Sequence, residues 1–99
     1  MSLCLVLHDL GPVAPEAEQM FFAAVFEIAP DHWRVTEDAT LVATEVSPGY
    51  LLDHLRRSAA RARLEPRILL VTRVPAEVAT HGLPENGEAW IREMLESVP

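Results

Sequence analysis

The sequence predicts an α+β domain with the ferredoxin-like split βαβ order and an additional C-terminal helix. Strand-like and helix-like patterns follow each other as β-α-β-β-α-β over residues 2–74, and a loop and a final helix occupy residues 75–99. Prolines stand where the helices are expected to begin and end. A chain of 99 residues fills one hydrophobic core, so we expect residues 1–99 to form a single domain.

The first strand and the first helix are marked by apolar residues and by their ends. The segment from Ser2 to His8 is aliphatic at both parities, which is typical of a central strand. Pro15 predicts the start of the helix and Pro30 its end. The apolar residues of this helix form two adjacent stripes, Phe21, Val25 and Ile28 on one and Phe22, Phe26 and Ala29 on the other. Together they are wider than contact with one sheet face requires.

The remaining elements follow from the same kind of pattern. His32–Thr36 and Ala39–Val46 are joined by a short acidic link, which predicts a hairpin. Ser47 and Pro48 are a typical helix start, and Pro66 ends that helix. Residues 67–74 are apolar at successive positions and predict the fourth strand, and Asn86 is a candidate cap for a last amphipathic helix.

On the first and fourth strands, the side chains that point to one face and those that point to the other are both apolar. The sheet is therefore predicted to be apolar on both faces. Both helices of this fold lie on one face, so the other face needs a cover. We expect a homodimer, with the C-terminal helix contributing to the cover. The predicted interface residues are Cys4, Val6, Leu69, Val71, Phe22, Phe26 and Trp90.

Composition narrows the class of protein. The longest apolar run, Met20 to Phe26, is far shorter than the about 20 residues of a membrane span. The start of the sequence lacks the pattern of a secretion signal, and the single cysteine, Cys4, fits a reducing compartment. These observations predict a cytoplasmic protein that does not cross a membrane.

The charge is acidic overall and unevenly distributed. The formal net charge is −7, which argues against a general nucleic-acid-binding protein. Six of the eight arginines nevertheless lie between Arg56 and Arg73. Arg56, Arg57 and Arg61 fall on one side of the second helix, where they are either a solvated face or a contact for an acidic partner.

Asp9, directly after the first strand, is the best candidate for a catalytic residue. A carboxylate at the end of a strand can hold a divalent metal or act as a base, but aspartate also begins turns before sequences such as Gly11-Pro12. The four histidines lack metal-ligand spacing, and no phosphate-binding loop is present, so no cofactor is expected. Cys4 is expected to behave as a small buried hydrophobe.

The strand that ends in Leu7-His8-Asp9-Leu10 resembles the opening of the small CRISPR adaptation endoribonuclease-like proteins and their uncharacterised relatives. Trp33, the strand beginning at Asp38 and the closing strand from Arg67 extend the resemblance over roughly residues 3–74. It implies a homodimer formed through the sheets and metal-dependent phosphodiester cleavage that uses Asp9. The acidic charge, and a histidine where an aromatic residue commonly precedes the aspartate, depart from that family.

Three functions are compatible with the sequence. The leading interpretation is a homodimeric, non-enzymatic interaction or regulatory domain, because it requires no unobserved feature. The first alternative is a metal-dependent endonuclease with Asp9 as its catalytic residue. The second is a small-molecule-binding or isomerase module with a pocket near Trp33 or Trp90.

Overall fold

The computed structural model describes residues 2–96 and places three helices and four strands there in the predicted order. In chain order they are β1 (Ser2–Asp9), α1 (Pro15–Ile28), β2 (Asp31–Thr36), β3 (Ala39–Thr44), α2 (Pro48–Arg61), β4 (Ile68–Arg73) and α3 (Glu85–Glu96). The predicted domain bounds, Met1 and Pro99, lie outside the described residues.

The four strands form one antiparallel sheet in the order β2-β3-β1-β4. β1 lies between β3 and β4, with Leu5 opposite Leu41 on one side and opposite Thr72 on the other. α1 and α2 each connect two strands that are parallel to each other and separated by a third. This arrangement is the split βαβ topology, so the predicted ferredoxin-like fold with a C-terminal helix is confirmed.

Local chemistry sets the ends of the elements. The Ser47 hydroxyl accepts a hydrogen bond from the Tyr50 amide at 3.1 Å and caps α2, as its position before Pro48 predicts. β3 ends at Thr44, two residues earlier than predicted. The Thr44 hydroxyl donates to the Ile28 carbonyl at 3.0 Å and accepts from the Val46 amide at 3.3 Å, which turns the chain out of the sheet.

Two apolar clusters lie on opposite faces of the sheet. α1 and α2 cover the first face, where Cys4, Val6 and Val42 are buried against residues such as Phe21 and Leu55. α3 covers part of the second face and buries a smaller cluster, Leu3, Leu41 and Ile91, with Trp33 and Trp90 beside it. Part of the second apolar face is therefore covered by α3 of the same chain.

Among residues 2–96, no helix is long and apolar enough to cross a bilayer.

Candidate functional site

The candidate site lies where β1 ends, between the start of α1 and the hairpin formed by β2 and β3. His8, on β1, is buried with 2% of its surface exposed. Its Nε2 atom lies 2.8 Å from the Thr40 hydroxyl of β3, and its ring contacts the edge of Phe22 at 5.1 Å between centroids. His8 thus joins the sheet to α1 at the base of the site.

Burial lowers the pKa of His8 below its ordinary value of 6.5 because the charged imidazolium loses hydration, and the nearby Arg34 cation lowers the pKa further. Asp38 and Glu18 act in the opposite direction but do not reverse the shift. The ring is therefore neutral at pH 7. The His8 side chain therefore does not compensate the negative charge of the carboxylates near it.

Asp9 follows His8 and starts a turn. Its carboxylate Oδ1 accepts a hydrogen bond from the Gly11 amide at 3.0 Å, and Gly11 has a φ of 69°, which favours glycine. The Asp9 carbonyl accepts from the Arg67 amide at 2.7 Å. Among residues 2–96, no group of three or more His, Cys, Asp and Glu side chains is placed to hold a metal ion. The Asp9 carboxylate thus takes part in the turn, and a catalytic role for it stays a prediction.

Asp9 also lines a polar recess of about 330 Å³, which we call the acidic recess. Its other acidic side chains are Glu18 from α1 and Glu37 and Asp38 from the hairpin turn. Arg34 of β2 is the cation in its lining. The recess therefore carries four carboxylates and one guanidinium.

Arg34 stands between the acidic recess and a larger cavity. One of its terminal nitrogens donates to the Glu18 carboxylate at 2.8 Å, and the other donates to the Glu37 carbonyl at 2.8 Å. Its guanidinium carbon lies 4.3 Å from the centre of the Phe22 ring, within the range of a cation–π contact. Arg34 is thus fixed on three sides, and Glu18 compensates its charge.

The larger cavity is an open groove of about 740 Å³ between α1 and β2, which we call the cleft. Phe22 and Phe26 of α1 form its apolar wall, and Trp33 of β2 borders it, although the Trp33 indole packs against Trp90 on the other face of the sheet. The Phe26 ring is stacked on His32 at 4.3 Å between centroids and an interplanar angle of 21°. His32 Nδ1 lies 2.9 Å from the Ala29 carbonyl, which accepts a hydrogen bond from that nitrogen and fixes the ring.

The residues predicted as interface lie in several places. Cys4, Val6 and Phe22 are buried inside the protomer, with 0%, 1% and 8% of their surfaces exposed. They lie on the sheet face that α1 and α2 cover, and Leu69 and Val71 are half-buried against the same core.

The other two predicted interface residues have different surroundings. Trp90 packs on the second face, where its ring meets the Trp33 ring edge-on at 6.3 Å between centroids. Phe26 is 50% exposed and lines the cleft. Burial also raises the pKa of the Cys4 thiol, which keeps it protonated and unreactive.

α3 leaves one part of the second sheet face uncovered. Leu7, Leu70 and Ile68 are exposed there, at 37%, 46% and 53%. Leu7 lies directly opposite Leu70, and Ile68 pairs with Asp9 one step further along. We call these three residues the β4 patch, because two of them belong to the edge strand β4.

The arginines predicted as an electrostatic surface are exposed on α2. Arg57 donates from Nε to the Asp53 carbonyl at 3.3 Å, and Arg61 donates to the Ser58 hydroxyl at 3.0 Å. Within the described part of the chain, neither these two residues nor Arg56 forms an ion pair with a carboxylate. The three charges therefore remain available on the helix surface.

Two features of the site were missed by the sequence reasoning. Arg34 lies outside the arginine-rich segment, so its position between two cavities becomes visible only when β2 is placed beside α1. Phe22 and Phe26 carried a signal, because they are one helical turn apart on the second apolar stripe of α1. Phe22 and Phe26 of that stripe line the cleft.

In comparisons with known proteins, the chain matches no family model, no curated protein and no solved structure. The resemblance to the CRISPR adaptation endoribonuclease-like proteins stays a prediction.

Proposed function

We propose that this protein is a non-enzymatic interaction domain that acts as a homodimer, in which the β4 strands of two subunits pair antiparallel. The observation that carries the proposal is the β4 patch, three large aliphatic side chains exposed beside the open edge of the sheet. An exposed apolar edge strand is a template for pairing with another chain unless it is covered. A second copy of this chain covers the edge and the part of the patch that lies on β4.

The outer edge of β4 has peptide groups free for this pairing. The Val74 amide donates to the Leu3 carbonyl at 2.9 Å. Since hydrogen-bonded pairs alternate along an antiparallel ladder, Leu70 and Thr72 also bond inward to β1. The peptide groups of Leu69 and Val71 consequently point away from β1, towards a partner strand.

Charge selects one pairing register. Two registers keep the apolar faces of both subunits on the same side and pair most of β4, one centred on Leu70 and the other on Val71. The Leu70 register places Arg67 opposite the partner's Arg73, and like charges opposite each other are destabilising. The Val71 register avoids this contact and places Leu70 opposite the partner's Thr72. We therefore assign the two-fold axis to Val71.

Apolar contacts and backbone hydrogen bonds both contribute to association. Complete burial of a leucine or isoleucine side chain contributes about 1.5–3 kcal/mol, and the residues of the β4 patch are roughly half exposed. Pairing at the edge partly covers Leu70 and Ile68 of each subunit and contributes about 2–3 kcal/mol, to which the new backbone hydrogen bonds add. An association of micromolar strength corresponds to about 8 kcal/mol.

Light scattering coupled to size-exclusion chromatography tests the proposal. Wild type should show twice the chain mass of 11.0 kDa at tens of micromolar, whereas Leu70→Arg should show the monomer mass. Tyr50→Arg is the matched control, because Tyr50 is 54% exposed on α2 and is not part of the β4 patch. A wild-type mass near 11.0 kDa at these concentrations would reject the dimer.

Cysteine crosslinking tests the register. Under oxidation Val71→Cys should form a disulfide across the two-fold axis, where paired Cα atoms are about 5.5 Å apart. Leu70→Cys should not, because the two copies of residue 70 are then about 8 Å apart. Cys4 is buried and does not compete. Crosslinking of Leu70→Cys alone would contradict the assigned register.

A further inference from the structure

We propose that the cleft binds a small organic cation. The apolar body of this ligand contacts Phe22 and Phe26, and its ammonium or guanidinium group enters the acidic recess. The cleft and the recess adjoin, because Val13, Glu18 and Arg34 line both cavities. This site is separate from the β4 patch, since the cleft belongs to β2 and the patch to the opposite edge of the sheet.

The size and the lining of the cleft are those of a small-molecule site. Its volume of about 740 Å³ lies within the range of about 300–1,000 Å³ that is typical of ligand pockets. Such pockets combine apolar and aromatic walls with a few polar groups that orient the ligand. Here Gln19 and Glu18 stand among the aromatic side chains and can provide that orientation.

Phe26 points to an occupant of the cleft. The ring is 50% exposed although it is fixed by stacking on His32. Since a fixed and exposed aromatic ring leaves apolar area in water at a cost in free energy, a planar or aliphatic ligand body gains by covering it. The T-shaped and stacked contacts of the neighbouring rings hold this wall in place without a ligand.

The charge of the ligand follows from the groups at the cleft and the recess. Glu18 is paired with Arg34, so the two contribute no net charge. The remaining charged side chains of the recess are Asp9, Glu37 and Asp38, and the neutral His8 does not offset them. The recess therefore attracts a cation, as does the net charge of −7 on the whole chain.

An anionic ligand has no comparable partner at this site. Arg34 is the guanidinium that faces both cavities, and its two terminal nitrogens are already bonded to Glu18 and to the Glu37 carbonyl. An anion would have to displace one of these acceptors while it approached three uncompensated carboxylates. The position of Arg34 over Phe22 also shows that the aromatic wall accommodates a guanidinium at van der Waals distance.

The test is an NMR titration of full-length protein with matched probes. 2-Phenylethylamine and phenylguanidine have an aromatic body and a cation, 3-phenylpropionate has the opposite charge, and propylamine lacks the ring. We expect saturable shifts at amides around the cleft and the recess with both aromatic cations, and about tenfold weaker binding of the other two probes. Equal binding of 3-phenylpropionate, shifts centred elsewhere, or no saturation by either cation at about 10 mM would overturn the proposal.

Paired variants locate the two ends of the ligand. Phe26→Ala and Asp38→Asn should each weaken binding of 2-phenylethylamine by about threefold to fivefold. Met20→Ala is the control for the ring, because Met20 is 53% exposed on the same helix but does not line the cleft. Glu16→Gln is the control for charge, since Glu16 is exposed and lines neither cavity. Equal losses in a variant and its control would overturn the placement.

Discussion

Replacing Gly87 with alanine tests how α3 is held on the sheet. Gly87 lies within α3 and is buried, and a Cβ atom at this position would lie 2.5 Å from Cη2 and 3.0 Å from Cζ3 of Trp33. A separation below 3.0 Å forces one of the two groups to move. The Trp33 indole is restrained on its other sides by Trp90 and by its neighbours in the second apolar cluster. We therefore expect α3 to be displaced from the sheet.

The magnitude is the balance of two opposed effects. Glycine in a helix interior is about 1 kcal/mol less favourable than alanine, so the helix itself gains from the change. Insertion of a methyl group into a tightly packed contact costs about 1–3 kcal/mol. Displacement of α3 also exposes part of Ile91, which is only 6% exposed in the native protein. We expect Gly87→Ala to lower the free energy of unfolding by about 1–2 kcal/mol.

Urea unfolding, followed by circular dichroism and by the fluorescence of the two tryptophans, measures this change. The matched control is Gly49→Ala in α2, where an added Cβ meets nothing within 4 Å. That variant should be more stable than wild type, by up to about 1 kcal/mol. If Gly87→Ala is as stable as wild type or more stable, the close packing of Trp33 on α3 is refuted.

Two further predictions concern His8 and the helix caps. Because burial lowers the pKa of His8 below 6.5, its contribution to stability is present above pH 6.5 and is lost as the pH falls towards that lowered pKa. The free energy of unfolding should fall by at most about 1.4 kcal/mol per pH unit, as measured by urea unfolding. This pH dependence should be weaker in His8→Gln and unchanged in His81→Gln, the control in an exposed loop. Equal pH profiles in all three proteins would contradict the prediction. Ser47→Ala should cost about 1 kcal/mol by thermal unfolding because the Tyr50 amide loses its acceptor, whereas Ala14→Ser should stabilise α1, which has no side-chain cap; an unchanged Ser47→Ala would contradict the cap.

The fold was predictable because each of its elements has a local signal. Pro15 and Pro48 mark the two helix starts, and both stand in the first turn of a helix. The ends were less predictable, as at Thr44, where a side-chain bond to the Ile28 carbonyl decides the last residue of β3. A bond between residues 16 positions apart leaves no trace in a local pattern.

The candidate site was predictable only in part, because successive residues of β1 are all apolar and do not show which side chains face the helices. Leu5, Leu7, Val6 and Cys4 are all apolar, so the sequence cannot assign a face of β1 to the two long helices. The structure assigns Cys4 and Val6 to them. Trp33 borders the cleft, and a small-molecule pocket there stays a prediction. The contribution of Arg34 depends on its contact with Glu18 across 16 positions of sequence.

The two proposals concern different parts of the molecule, because the β4 patch and the cleft lie at opposite edges of the sheet. α3 covers Leu3 and Leu41 and leaves Leu70 exposed beside the open edge of β4. The cleft belongs to β2, which forms the other edge of the sheet. Pairing of two β4 strands would extend the sheet to eight strands and leave both β2 edges at its outer ends, so each subunit would keep an accessible cleft. Loss of pairing in Leu70→Arg should therefore leave the cleft intact, and failure of either proposal carries no consequence for the other.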